Sequence, residues 1–314
     1  MAEIITIGEP MVVWIPQQTG EFNKVKTFQK GLAGAELNVA VGVKRLEHDV
    51  CYISKLGNDV YGKYILEEMK KEEIDTSAII FDSDHLTGSY FKTKVTKGNP
   101  EVFYLRKNSA ASFLNENDLS EHFFEKGKIL HLTGIAAGIS KDCLNACKKA
   151  KEIAKKHGMA ISFDPNIRLA LWNSQEEMKN ILNDLAKDCD FFFPGIEEGK
   201  ILSGKDTCEE IADFYLKTGV KNVIIKDGGN GAIYKCRGGK LEKIKGFQVD
   251  RIVDTVGAGD AFAAGVLTGI LEGLTMQESI RRGNAMGAIM VTETGDNDAM
   301  PKRETLQEFM KENR

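Results

Sequence analysis

The sequence predicts an α/β protein: a mostly parallel sheet with helices on both faces, plus a small antiparallel β-sheet lid. Three observations carry this. Short apolar runs alternate with longer amphipathic ones, which is the strand–helix repeat of a parallel sheet. Turn-rich peptides follow the apolar runs, at the carboxyl ends of the strands, where such sheets bind ligands. Residues 10–30 and 86–107 alternate with a period of two and carry no helical period.

Each element follows from its own pattern. The run IITIG (4–8) reads as the first strand, with GEP at its end, and ELNVAVGVKRL (36–46) as the first helix. VCYIS (50–54) reads as a strand leading into SKLGND, followed by the helix KYILEEMKKEE (63–73). The segment LTGSYFKTKVTKGNPEVFYLRK (86–107) alternates, with KGNP as the turn between two strands. KILHL (128–132) then runs into LTGIAAG, and KDCLNACKKAKEIAKKHG (141–158) is a long helix. MAISF (159–163) ends at FDPNIR, EEMKNILNDLAKD (176–188) is helical, and DFFF (190–193) ends at FPGIEEG. NVIIK (222–226) leads to KDGGNG (226–231), which is a hairpin turn or a ligand loop. Two helices close the pattern, GDAFAAGVLTGILEG (259–273) and SIRRGNAMGAIMV (279–291). The expected division is a core of 1–9, 31–85 and 108–314, with a lid of 10–30 and 86–107.

Composition narrows the function. A chain of 314 residues, 42% hydrophobic and 28% charged, can bury a large core. A net charge of -4 gives no reason to expect nucleic acid or an anionic membrane as partner. No apolar stretch approaches the ~20 residues of a membrane span. The opening MAEIITIGEP lacks a basic region and a long apolar run, so a cytoplasmic protein without a signal peptide is expected. Six scattered cysteines read as reduced thiols. Cys143 and Cys147 sit four apart without a partner at zinc-site spacing, so small apolar packing is the expectation there. GNDVYGKY (57–64) has the glycine and lysine spacing of a P-loop, but Tyr64 stands where a Ser or Thr hydroxyl should hold Mg²⁺. It is not expected to bind phosphate.

The informative stretch is DTVGAGDAFAAG (254–265). Gly257 and Gly259 permit a tight turn and let backbone N–H groups approach a ligand. A helix starts at once, so those N–H groups sit at its positive end, a site for phosphate or developing negative charge. Asp260 lies in the first turn. A carboxylate beside a phosphate site is costly unless it takes a proton or faces a cation, so a base that deprotonates an alcohol is the sharper account. The plain alternative is a helix-start acid, worth ~0.3–1 kcal/mol.

DTVGAGDAF resembles the Asp-Thr-x-Gly-Ala-Gly-Asp motif of the ribokinase-like carbohydrate kinases of the phosphofructokinase-B type. The similarity runs from GLAGAELNVA (31–40) to TGDNDAMP (294–301). The resemblance implies a parallel α/β core with a β-sheet lid and transfer of the γ-phosphate of ATP to a sugar hydroxyl. It implies that Asp260 is the base and that Gly257, Ala258 and Gly259 form the anion hole. PGIEEG resembles the family's Asn-x-x-Glu motif, so Glu198 would support Mg²⁺ through water, although Gly195 replaces the Asn. By the same resemblance Asp254 is a candidate for a monovalent cation such as K⁺. Lys226, Gly228 and Gly231 lie in a peptide similar to the family's nucleotide loop. Asn284 and its helix look like the adenine-side wall, with pure core packing as the alternative. LAGAELNVA resembles the Gly-Gly loop beside the sugar, with Gly34 and Asn38 retained and Ala33 in place of the first glycine.

The candidate sugar-side residues are Tyr90, Tyr104, Arg106 and Arg168. Two arginines aimed at one cleft call for an anionic partner, and a guanidinium suits a carboxylate. Tyr104 and Arg106, two apart on a strand, would face the same side. YxRxxSAAS (104–112) is closer to the 2-keto-3-deoxygluconate kinases, whereas DPNxR…LW is shared with fructokinase-like members. The resemblance therefore implies phosphorylation of the terminal hydroxyl of 2-keto-3-deoxygluconate, with fructokinase as the runner-up. A catalytically silent sugar or nucleotide sensor is the alternative outside enzymes, and Asp260 beside an intact Gly-Ala-Gly argues against it. A nicotinamide oxidoreductase would want Gly-x-Gly-x-x-Gly after the first strand, which IGEPMV lacks. A sugar acid and ATP are the expected small-molecule partners, with self-association through the lid into a dimer or higher homo-oligomer.

Overall fold

The computed structural model describes residues 2–94, 101–293, 295 and 297–313. In chain order the first elements are β1 (Ile4–Ile7), β2 (Met11–Pro16), β3 (Phe28–Ala33), α1 (Ala35–Arg45), β4 (Val50–Gly57), α2 (Val60–Lys71) and β5 (Ile79–Asp82). There follow β6 (Ser89–Lys92), β7 (Val102–Leu105), β8 (Ile129–Thr133), α3 (Gly134–Ile139), α4 (Lys141–Lys156), β9 (Ala160–Asp164), α5 (Gln175–Ala186) and β10 (Phe191–Phe192). The chain ends with α6 (Ile196–Ser203), α7 (Cys208–Lys217), β11 (Asn222–Lys226), β12 (Gly231–Cys236), β13 (Glu242–Lys245), α8 (Ala258–Leu271), α9 (Met276–Met290) and α10 (Arg303–Glu312).

Nine strands form the main sheet in the order β13-β12-β11-β10-β9-β8-β1-β4-β5. The pairs from β11 through to β5 are parallel, and β12 and β13 add an antiparallel edge. Alternation along the buried strands feeds two cores. On β11, Val223 and Ile225 join one core while Ile224 joins the other, which is the two-residue period of a sheet covered on both faces. Leu37, Ile65, Phe262 and Met286 of α1, α2, α8 and α9 close one face; Cys147, Leu182 and Ile211 of α4, α5 and α7 close the other. Cys143 and Cys147 are buried thiols in that second core.

The second sheet has four strands in the order β3-β2-β6-β7. It is not purely antiparallel as expected: β2 and β6 pair in parallel, with Val12 opposite Ser89 and Trp14 opposite Phe91. Both strands leave the core in the same direction, whereas β3 and β7 return to it, so the outward strands lie side by side. β3 runs to Ala33, past the boundary expected at residue 30. Alternation sorts the sheet's faces. Phe91 and Phe103 meet Phe22 and Phe28 on one side, while Tyr90 and Lys92 turn inward. The KGNP turn lies outside the described residues.

KDGGNG is the turn of the β11–β12 hairpin. The P-loop look-alike is filled from within: the Asp59 carboxylate accepts from Tyr61 N, Gly62 N and Thr87 N at 2.7–2.9 Å, which leaves that helix start no vacancy for phosphate. Among the described residues, no helix is long and apolar enough to cross a membrane.

Candidate active site

β1, β8, β9 and β11 are parallel, so their carboxyl ends lie on one side and bring Glu9, Ile135, Asn166 and Lys226 to one cleft. Tyr90, Lys92, Tyr104 and Arg106 of the small sheet face it from above, and α8 points its start into it from the core. The cleft measures about 550 Å³. A second cavity of about 450 Å³, lined by Gly228, Gly231, Asn284 and Ala258, meets it at Lys226, Thr255 and Gly259. Two chambers joined at a helix start fit two substrates that react at the junction.

Gly257 caps α8 with φ 77°, in the left-handed region that favours glycine. The first backbone N–H to close a helical turn is that of Ala261, on Gly257 O at 2.8 Å. Those of Gly259 and Asp260 precede it and face the junction without an intrahelical acceptor. A Cβ on Gly259 would come within 3.6 Å of Lys226 Nζ, so its absence keeps the junction open.

Asp260 is buried, at 8% exposure, and its carboxyl is held from both sides. Asn38 Nδ2 donates to Oδ2 at 2.8 Å and Asn166 Nδ2 donates to Oδ1 at 3.2 Å. Burial pushes its pKa up from 3.8 to about 7; the Asn38 bond opposes this, Asp164 adds to it, and Arg168 and Lys226 moderate it. A carboxyl poised near neutrality in a cleft can accept a proton from an alcohol. Asn38, expected on the sugar, lines the cleft; its amide nitrogen holds Asp260, and its oxygen accepts from Asn297 at 3.2 Å.

Lys226 Nζ lies 2.5 Å from Asp164 Oδ2. Burial alone would discharge the lysine, but Asp164, Glu198 and Asp260 outweigh it and keep the ammonium charged. Glu198 accepts Gly195 N and Ile167 N at 2.7 Å each, so it also caps α6 and ties FDPNIR in place. Among the described residues no cluster of three or more His, Cys, Asp or Glu offers direct metal ligation. A carboxylate with free lone pairs beside a phosphate junction nevertheless suits Mg²⁺, which keeps several waters and leans on substrate phosphates. Glu198 and Asp164 are the groups that would hold its waters. Asp254 fits a monovalent cation poorly. Its Oδ1 accepts Val256 N at 3.0 Å, and its Oδ2 pairs with Lys92 Nζ at 3.2 Å.

The two arginines differ. Arg106 forms an ion pair with Glu9, a carboxylate only 1% exposed that also accepts from Ser109 Oγ. Arg168 lines the cleft with its guanidinium exposed, bonded to the Ile167 carbonyl at 3.0 Å. Among the described residues it makes no ion pair. Tyr104 and Arg106 do line one side, with the guanidinium 5.5 Å from the Tyr104 ring and Tyr90 opposite Tyr104 in register. Gly34, with φ 132°, leaves room for the Glu9 carbonyl, which a Cβ would meet at 2.7 Å. Gly231, at φ 104°, shapes the second cavity, while the Asn284 amide nitrogen donates to Ile244 O and Lys245 O. Asn284 thus anchors α9 to β13 and serves that cavity as wall. Glu9, Lys92, Asn166 and Asp164 escaped the sequence reading. Asn166, at φ 35° in the FDPN turn, had the clearest signal.

The family model for pfkB carbohydrate kinases matches residues 1–303. The chain belongs to the pfkB family of carbohydrate kinases. It is 45% identical over 309 residues to the 2-dehydro-3-deoxygluconokinase of Bacillus subtilis (strain 168), across 98% of this chain and 95% of that one. A fructokinase-7 assignment from Arabidopsis thaliana is 31% identical, across 99% and 93%. An E. coli protein assigned to the ribokinases, solved with ATP and Mg²⁺, superposes with a TM-score of 0.90 at 28% identity, covering 99% of this chain and 100% of that one. The protein is therefore a sugar kinase of the ribokinase-like fold, with a small separate sheet beside the main one.

Proposed function

We propose that this pfkB-family kinase phosphorylates the terminal hydroxyl of 2-keto-3-deoxygluconate, also written 2-dehydro-3-deoxygluconate, from ATP. The observation that carries the choice of an acid is Arg168, a cation in the cleft without a carboxylate of its own. Arg106, shared with Glu9, adds further donors beside it. The likeness to the Bacillus subtilis enzyme supports the same reading.

In this reaction Asp260 takes the hydroxyl proton, and the oxygen forms a bond to the γ-phosphorus as the bond to ADP breaks. The N–H groups of Gly259 and Asp260, with Lys226, stabilise charge on the transferring group. Ala258 and Gly257 shape that opening. Glu198 would hold Mg²⁺ through water, and the ion would supply charge neutralisation on the phosphates. ATP occupies the cavity of Gly228, Gly231 and Asn284, and the sugar lies under Tyr90 and Tyr104 beside Gly34. The exposed β7 residues Phe103 and Leu105, on the face away from the cleft, support pairing of two copies through the lid, and free thiols suit a cytoplasm.

Fructokinase remains the competing reading, because Glu9 offsets part of the cleft's positive charge. Coupled ADP detection over 2-keto-3-deoxygluconate, fructose, ribose and adenosine separates the two. The acid should lead. Arg168→Ala should lower kcat/KM for the acid by roughly 10–100-fold while leaving fructose nearly unchanged. Fructose leading, or equal losses on acid and neutral sugars, would sink the proposal.

A further inference from the structure

The Lys92–Asp254 pair joins the two parts of the molecule at the point where phosphate must be received. Lys92 lies on the inward face of β6 and is 5% exposed. It lines the same cleft as Thr255, Val256, Gly257 and Gly259. Its ammonium reaches Asp254 Oδ2 at 3.2 Å, across 162 residues of chain. The other oxygen of Asp254 accepts the N–H of Val256 at 3.0 Å. That bond sets the turn into Gly257, whose left-handed backbone opens the start of α8 toward the cleft.

A carboxylate this enclosed needs a countercharge, since an unpaired buried charge is costly. The chain supplies one from the lid. Building on the kinase reading, we infer that Lys92 is a positioning residue that acts as the chain's own monovalent cation at Asp254. It holds the turn that presents the anion-binding N–H groups, and it does so only while the lid sheet lies against the core. Phosphoryl transfer would then need no external K⁺, and lid closure over the sugar would complete the anion site.

The test starts with the unmodified enzyme, assayed with its best substrate in a tetramethylammonium buffer at constant ionic strength. Added KCl or NH₄Cl should change its kcat by less than about twofold, since screening is held fixed. Lys92→Met should lower kcat by about tenfold or more without those salts, the scale of one lost charged bond. K⁺ or NH₄⁺ should restore much of the loss and raise the melting temperature of this variant but not of the parent. Lys92→Arg should keep most of the parent's activity and its indifference to salt. Three results overturn the inference: a parent enzyme that requires K⁺, a Met variant with parental kcat, or a slow variant that neither cation restores. The parent's salt titration decides the first even if the Met variant fails to fold, and the substrate panel judges the kinase reading separately.

Discussion

Asp260 is the proposed base, and its environment fixes two measurable signs. As the base, it must be ionised, so kcat/KM should rise with pH through about 7, the value to which burial lifts it. A flat profile between pH 5.5 and 8.5 would remove it from that role. Asp260→Asn keeps the shape and one of the two accepted amide bonds, and should lower kcat by ~10²–10⁴-fold. Stability runs the other way. The folded pKa is raised above the unfolded value of 3.8, so the folded state binds this proton more tightly. The cost is absent below that value, grows as pH rises, and is complete above about 7, where it reaches up to about 4 kcal/mol. Asp260→Asn should therefore melt higher than the parent at pH 8, with the gap shrinking by pH 5. Asp260 itself was legible, because Gly-x-Gly before an acid at a helix start is a local pattern. Its holders were not: Asn38 lies 222 residues away, and no local period tells which amide reaches a carboxylate through the fold.

At the level of elements, α8 owes its reach to how closely it packs. A Cβ on Gly265 would stand 2.8 Å from Gly283 Cα of α9, nearer than real contacts allow. The two helices therefore touch backbone to backbone, and Gly265→Ala must push α9 outward. We expect a loss of about 1–3 kcal/mol in urea unfolding, as for overpacked cores. Because Asn284 and Gly287 of α9 line the cavity proposed for ATP, KM for ATP should rise with it. A fully stable variant with parental KM would show that the helices separate freely. Gly257→Val strains a turn at φ 77°, and by ~1–3 kcal/mol; its activity should fall more than its stability, and normal turnover would refute the anion hole. The core strands were readable from apolar runs, and β11 fell at the residues expected. β5, β12 and β13 were not: β5 and β13 are four-residue strands at the two edges of the sheet, and β12 opens on Gly231 and carries Lys235 within it.

Taken as one object, the molecule is a rigid core with a sheet laid across its mouth. The two-residue alternation announced that sheet, but its attachment could not be read, since ion pairs between distant segments leave no local trace. Among the described residues, the tethers that bind it or its margin to the core include Lys92 to Asp254, Arg106 to Glu9, and Ser109 to Glu9. The first two lie in the cleft proposed for the sugar, so on that proposal ligand and tethers are coupled. Its apolar contacts divide: Met11, Val13, Ala33 and Tyr90 form a small cluster inside, Val12, Leu32 and Trp14 join the main core, and an aromatic group lies outside, while β7 is exposed along its length. Elements with little buried apolar area open at low free energy, while the nine-stranded sheet opens only with global unfolding. Amides of β7 and of the outer ends of β2 and β3 should thus exchange fast in the free enzyme, and those of β1, β8 and β9 slowly. Sugar bound beneath Tyr90 and Tyr104 adds contacts that only the closed sheet can make, so it should slow exchange in the lid strands selectively. ATP alone, held on the far side of Lys226, should protect the Gly228–Gly231 turn and leave the lid largely as it was. Hydrogen exchange read by mass spectrometry distinguishes these states directly. Equal lid protection with and without sugar would make the sheet a fixed wall, and closure could then have no part in assembling the site.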